Sequence, residues 1–222
     1  MPQWLIALAW VSVCAGVMTA LGIAADVFRH PQKMKIMSVV WPVTGLYLPV
    51  AAWFFYRRMG RPMSADSGPM KAEPPHWQRV FVSATHCGSG CVIGDVVAAP
   101  LVPLAGLTLF GERLFAEYAV EFAFAYLVGI AFQYLPIRAM RHVSPREALI
   151  DAIKADTLSL IAFEVGMFLW MALAYFLFLR AARPDAFCIV FWLLMQVGMV
   201  LGFLTTYPAN WLLLKWGIKR GM

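Results

Sequence analysis

The chain is short of charge. Of its 222 residues only 14% are charged while 62% are hydrophobic, and the mean hydropathy is +0.72. A soluble domain carries about 25% charged residues, so an ordinary water-soluble fold is excluded. Cysteine is scarce as well: Cys14, Cys87, Cys91 and Cys188 all fall inside apolar blocks, which excludes a disulfide framework of the secreted kind. The opening Met1-Pro2-Gln3-Trp4 has no basic residue, and the apolar run behind it exceeds the roughly 7–15 residues of a signal peptide. The first block is therefore expected to be a retained helix. No domain gathers the basic residues, which are split among short loops, so nucleic acid is not implied as a partner.

What the chain does have is apolar length. Six blocks reach the ~20 residues needed to cross a bilayer, at about 4–25, 37–56, 80–102, 114–135, 156–179 and 187–214. They leave no room for a separate soluble domain. The expectation is an all-α, polytopic integral membrane bundle in one domain, with the lipid bilayer as its first partner. A homo-oligomer or a second membrane protein is a further possible partner. With six crossings, the Lys and Arg residues divide twelve to six toward the side holding both termini. The positive-inside rule then places both termini in the cytoplasm of a bacterial inner membrane.

Punctuation between the blocks is informative. The stretch 57–77 is rich in Gly, Pro and Ser and reads as a flexible cytoplasmic linker. Ser144-Pro145-Arg146-Glu147 fits a helix start, with Ser144 as N-cap, Pro145 at N1 and Glu147 completing a capping box. An amphipathic surface helix is expected over about 145–154, bending into the fifth span near Asp156. Between spans three and four, Pro100, Pro103, Gly106 and Gly111 interrupt an apolar stretch. Two alternatives stand there, a partly re-entrant segment or a distorted helix end.

The densest chemistry lies inside the third block, in Thr85-His86-Cys87-Gly88-Ser89-Gly90-Cys91-Val92-Ile93-Gly94-Asp95. Ionisable side chains in hydrocarbon are costly and usually face a bundle interior or a water-filled path. Cys87, Cys91 and Asp95 stand at i, i+4 and i+8, so on a helix they form one stripe. Glu121, Glu164 and Gln196 on later spans reach similar depth, whereas Glu117, Gln133, Asp156, Thr206 and Asn210 lie nearer the two surfaces. Gly90 and Gly94 have the small-residue spacing that lets helices approach closely.

Three functional readings follow from these residues. In the leading one, His86, Cys87 and Cys91 bind a soft or borderline metal ion, copper above all, since thiolates suit Cu(I) and Zn and imidazole suits Zn, Cu, Fe and Ni. Met167 with Met171 and Met195 with Met199, each at i, i+4, are possible thioether ligands, although methionine also fills cores. In the second, Asp95, Glu121, Asp156 and Glu164 line a proton or ion path of a small-solute transporter or channel. In the third, the polar residues only tie helices together in an accessory subunit of a larger assembly. A Cys87–Cys91 redox pair is disfavoured, because i, i+4 thiols on a regular helix approach poorly for a disulfide. Enzymatic activity is not indicated, and no catalytic residue is assigned.

Four segments together have a specific look: Met34-Lys35-Ile36-Met37-Ser38-Val39-Val40-Trp41-Pro42-Val43-Thr44, the His86–Cys91 run ending at Asp95, Lys154–Leu160 with Phe163-Glu164-Val165-Gly166-Met167, and Tyr207-Pro208-Ala209-Asn210-Trp211. From about Ala25 to Met222 the chain resembles the bacterial membrane family catalogued as domain of unknown function 4396. The resemblance implies a membrane setting and, by association with copper-handling contexts, adds weight to copper. It carries no established activity and transfers no catalytic residue.

Overall fold

In the computed structural model of the chain, the structure describes residues 1–32, 34–61, 74–141, 143–179 and 182–219. The expected linker falls largely on 62–73, outside the described residues; its flanks are helical. The elements are α1 (Gln3–Arg29), α2 (Met37–Tyr47), α3 (Ala51–Phe55) continued by a π-helical turn Tyr56–Gly60, and α4 (His76–Ala98). There follow α5 (Leu101–Ala105), α6 (Arg113–Arg141), α7 (Pro145–Leu173) with a π-helical turn Ala174–Phe178, and α8 (Ile189–Lys215). The fold is all-α, as expected. Among the described residues, five helices are long and apolar enough to cross a membrane: Gln3–Arg29, His76–Ala105, Arg113–Met140, Pro145–Phe178 and Ile189–Lys215.

The block at 37–56, expected as one crossing, is a helical hairpin instead. Pro49 disfavours helical backbone at Leu48, and α2 ends there with Leu48 at φ −117° and ψ 67°. Val50 then takes φ 65° and ψ −50°, and the Ala51 N–H bonds the Pro49 carbonyl at 2.7 Å. This is a γ-turn of the rare, strained hand, and it sends the chain back the way it came. The exit of the hairpin meets the end of α1. Tyr56 Oη donates to Asp26 at 2.8 Å, and Arg61 pairs with the same carboxylate at 3.1 Å.

Interior irregular backbone needs partners within the protein, and the tip has them. Thr19 on α1 accepts from the Val50 N–H at 3.1 Å. Gln196 on α8 donates to the Leu46 carbonyl at 2.6 Å, and its own Oε1 accepts from Ser12 at 2.7 Å. Gly45 and Gly16 permit the approach, since a Cβ on Gly45 would lie 2.8 Å from the Ala20 nitrogen.

The doubled-back hairpin also separates the termini. α1 runs parallel to α8: Ala9 packs with Val190 and Leu193, and Met1 lies 4.0 Å from Cys188, sulfur to sulfur. Met1 is thus at the start of α8, whereas Lys219 lies beyond its end. Among the described residues five candidate spans are found, so the expected six crossings with both termini on one side are not borne out.

Two further expectations meet the structure. The capping box at Ser144 and Glu147 is present with Pro145 in the first turn. The helix it starts, however, runs without a break from Pro145 to Phe178, about 50 Å at 1.5 Å per residue, rather than as a separate surface helix. Ala148 and Ala152 seat its first turns against Ile130 and Ile137 of α6, leaving Leu149, Ile150 and Ile153 exposed. After α4, the Pro100–Gly111 stretch forms the short α5 and a tight turn, with Gly106 and Gly111 at positive φ. It is a helix end, not a re-entrant segment.

Candidate functional site: a buried row of ionisable residues

α4 is the central helix of the site. From Val80 to Val92 nearly every residue is buried, because its glycines let neighbours close on it. A Cβ at Gly90 would lie 2.8 Å from the Cα of Gly129, and one at Gly94 would collide with Ala125. The packing role expected of these glycines is therefore what the α4–α6 crossing shows. Gly166 and Gly198 act alike between α7 and α8, meeting Leu201 and Met167 respectively.

At the end of the row nearest the C-terminus the polar groups are paired. α8 closes in a Schellman motif, with the Ile218 N–H on the Leu213 carbonyl at 3.1 Å and the Gly217 N–H on Leu214 at 3.2 Å. Gly217 takes φ +70°, the conformation this cap requires. The turn carries Lys219 back under the bundle. Its ammonium donates to Asp156 Oδ1 at 2.9 Å and to Asn210 Oδ1 at 3.0 Å, with both charged partners buried. Burial alone depresses the pKa of an ammonium, but the Asp156 carboxylate outweighs it and holds Lys219 above the ordinary lysine range. Ser83 donates to Asn210, Ser159 donates to Asp156 Oδ1 at 3.1 Å, and Cys87 shares a hydrogen bond with Ser159 at 3.2 Å.

Deeper in, pairing stops. Cys91 lies beside Cys87 and Glu164. Asp95 lies within electrostatic reach of both Glu164 and Glu121, and Glu121 of Glu117. Both carboxyl oxygens of Asp95 and of Glu164, and Oε1 of Glu121, are buried with no hydrogen-bond partner in the protein. Both ring nitrogens of His86 and the Tyr47 hydroxyl share that condition. Unpartnered buried polar groups are costly, and each calls for water, an ion or a proton. At the far end, partners return: Arg113 pairs with Glu117 at 3.1 Å and with Asp185 at 3.2 Å. A pocket lined by Glu117, Leu114, Met171, Tyr175 and Pro184 opens at that end.

The row therefore runs Lys219–Asp156–Ser159–Cys87–Cys91–Glu164–Asp95–Glu121–Glu117–Arg113. It is capped by a cation at each end and unpaired in the middle. All four carboxyl residues expected to line a path, Asp95, Glu121, Asp156 and Glu164, fall on it. Of the residues expected to hold a metal, Cys87 and Cys91 lie on the row. His86 stands to one side, its ring 6.1 Å from that of Phe132. Met167, Met171, Met195 and Met199 are buried in the main apolar core. Among the described residues, no group of three or more His, Cys, Asp or Glu side chains is placed to hold a metal ion. Sequence reasoning missed Lys219, Ser83 and Ser159. Gly217 just past the last apolar turn was the available signal for Lys219, as a helix stop that reverses the chain.

These features define a class, an all-helical bundle whose described residues include five helices long and apolar enough to cross a membrane, with an interior file of ionisable side chains. A family model described as Domain of unknown function (DUF4396) matches residues 76–219, and the chain belongs to that family. The matched stretch begins at α4 and ends at Lys219, so it contains the whole row, while α1 and the hairpin lie before it. No curated protein and no solved structure matches the chain.

Proposed function

We propose that the chain is a multi-pass protein of a bacterial inner membrane that moves protons or small cations along the buried row. The observation that carries this reading is the sequence of Glu164, Asp95 and Glu121, three carboxyl groups in mid-bundle with five buried oxygens that no hydrogen bond of the protein satisfies. Intramembrane carboxyl groups of this kind serve proton relays and ion paths. Each can take a proton or cation from one neighbour and release it to the next, while Lys219–Asp156 and Arg113–Glu117 close the ends.

The proposed orientation has five crossings and a re-entrant hairpin, with the N-terminus outside and the C-terminus in the cytoplasm. Among the described residues, Arg29, Lys35, Arg57, Arg58, Arg61, Arg79, Arg138, Arg141, Arg146, Lys154, Lys215 and Lys219 then belong to the cytoplasmic half. Only Arg113 and Arg183 belong to the outer end. Over the same described residues the even-crossing division is ten against four, so twelve against two is the stronger bias and supports this orientation.

Copper or another soft metal remains a second reading, and what favours it is the adjacency of the Cys87 and Cys91 thiols. Metal content of the purified protein, wild type against Cys87→Ser/Cys91→Ser, tests it. Unchanged substoichiometric metal in both ends that reading. For the path, proteoliposome flux with Glu164→Gln is the test: loss of a pH-dependent flux supports it, and absence of flux under any gradient contradicts it.

A further inference from the structure

A lysine ammonium without access to water is costly to place inside a bundle, yet Lys219 is almost wholly buried. Nothing in the helix packing needs it there, because it stands four residues beyond the end of α8. What holds it is recognition. Two oxygens, one from the Asp156 carboxylate and one from the Asn210 amide, accept from its nitrogen at 2.9 and 3.0 Å. Those are N–H···O hydrogen-bond lengths. Ser83 and Ser159 turn their hydroxyl hydrogens toward the same two acceptors. The oxygens are thereby oriented, and their remaining capacity points at one cation. His86, with both ring nitrogens unpartnered, lies within electrostatic range of the pair.

We propose that Asp156 and Asn210 form a primary-ammonium site at the C-terminal end of the row, occupied in this state by the chain's own Lys219 and open to ammonium or alkylammonium solutes when Lys219 leaves. Lys219 is then a tethered stand-in for the ligand and a stopper for the row. The carboxylate is paired with a cation both before and after the exchange. The Gly217 cap is the hinge, since its three hydrogen bonds hold the Lys219 backbone in place. The proposal gives the path reading a ligand class, and its test reads occupancy rather than flux, so a failed flux experiment and a failed occupancy experiment stay distinct.

The protein in lipid nanodiscs carries the test, with n-propylammonium as probe and tetramethylammonium, which has no N–H donor, at equal concentration as control. Lys219→Ala should melt several degrees below wild type. Propylammonium should recover that loss saturably, tetramethylammonium should not, and Asp156→Asn/Lys219→Ala should show no recovery. Wild type supplies a second measurement that needs no variant to fold. Propylammonium should speed hydrogen exchange at the backbone N–H groups of Gly217, Ile218 and Lys219, and tetramethylammonium should leave it unchanged. Equal effects of the two cations, or no effect of propylammonium on wild-type exchange, would overturn the proposal.

Discussion

Gln196 of α8 donates to the backbone carbonyl of Leu46 at 2.6 Å, tying the turn of the α2–α3 hairpin to the helix that precedes Lys219. The same side chain accepts from Ser12 on α1 at 2.7 Å, so one amide joins three elements. A carbonyl at a helix end lacks its usual intrahelical partner, and in an apolar interior water is not there to replace it. Gln196→Leu should therefore destabilise the protein by about 1–3 kcal/mol, the cost of an unsatisfied buried group. Unfolding in mixed detergent micelles measures it, and an unchanged midpoint would mean that the tip does not depend on this bond.

Val50 makes the opposite prediction. Its side chain is 72% exposed, so little packing is lost by removing it, while its φ of 65° is unfavourable for a β-branched residue. Val50→Gly should leave stability unchanged or raise it by about 1 kcal/mol, because strain relief of roughly 1–3 kcal/mol offsets the added freedom of the unfolded glycine. A marked loss in the same unfolding assay would show that the turn does not adopt this conformation.

The buried ion pair is open to a mutant cycle. Lys219→Met alone leaves Asp156 buried without its cation, at a cost of about 3–5 kcal/mol. Pairing it with Asp156→Leu removes both charges and should recover most of that loss. If the two single changes simply add, the pair is not formed.

Topology can be read by thiol labelling in intact cells, in a Cys14→Ser/Cys188→Ser background. Pro2→Cys and Leu107→Cys should react with a membrane-impermeant maleimide from outside. Arg57→Cys and Lys215→Cys should react only after permeabilisation. Labelling of Pro2→Cys only after permeabilisation would restore an even number of crossings.

The parts of this picture that were legible in sequence are those where composition alone decides. Charges inside apolar runs singled out Asp95, Glu121 and Glu164, and the i, i+4, i+8 stripe on α4 put Cys87, Cys91 and Asp95 on one side. The hairpin at 37–60 was not legible from hydropathy, since about 20 apolar residues suit a crossing and a re-entrant pair equally well. Pro49 beside Leu48 held the only local sign of the turn. The binding of its tip by Thr19 and Gln196 is a long-range matter that no spacing reveals. Lys219 looked like an ordinary basic flank because its burial depends on the reversal at Gly217. His86 looks like a ligand in sequence because spacing cannot show that its ring stands 6.1 Å from that of Phe132 with both nitrogens unpartnered.

The central claim is that the unpaired middle of the row carries charge across the bundle, and Glu164 stands at its centre, between Cys91 and Asp95, with both carboxyl oxygens buried. The most direct measurement is pH-gradient-driven flux, read by an enclosed pH dye, in proteoliposomes of wild type and Glu164→Gln. The account predicts a flux in wild type that falls at least about tenfold in the variant, as expected when a proton-transferring group is removed. Wild-type vesicles no leakier than empty ones under any imposed gradient, or a Glu164→Gln variant as active as wild type, would contradict it.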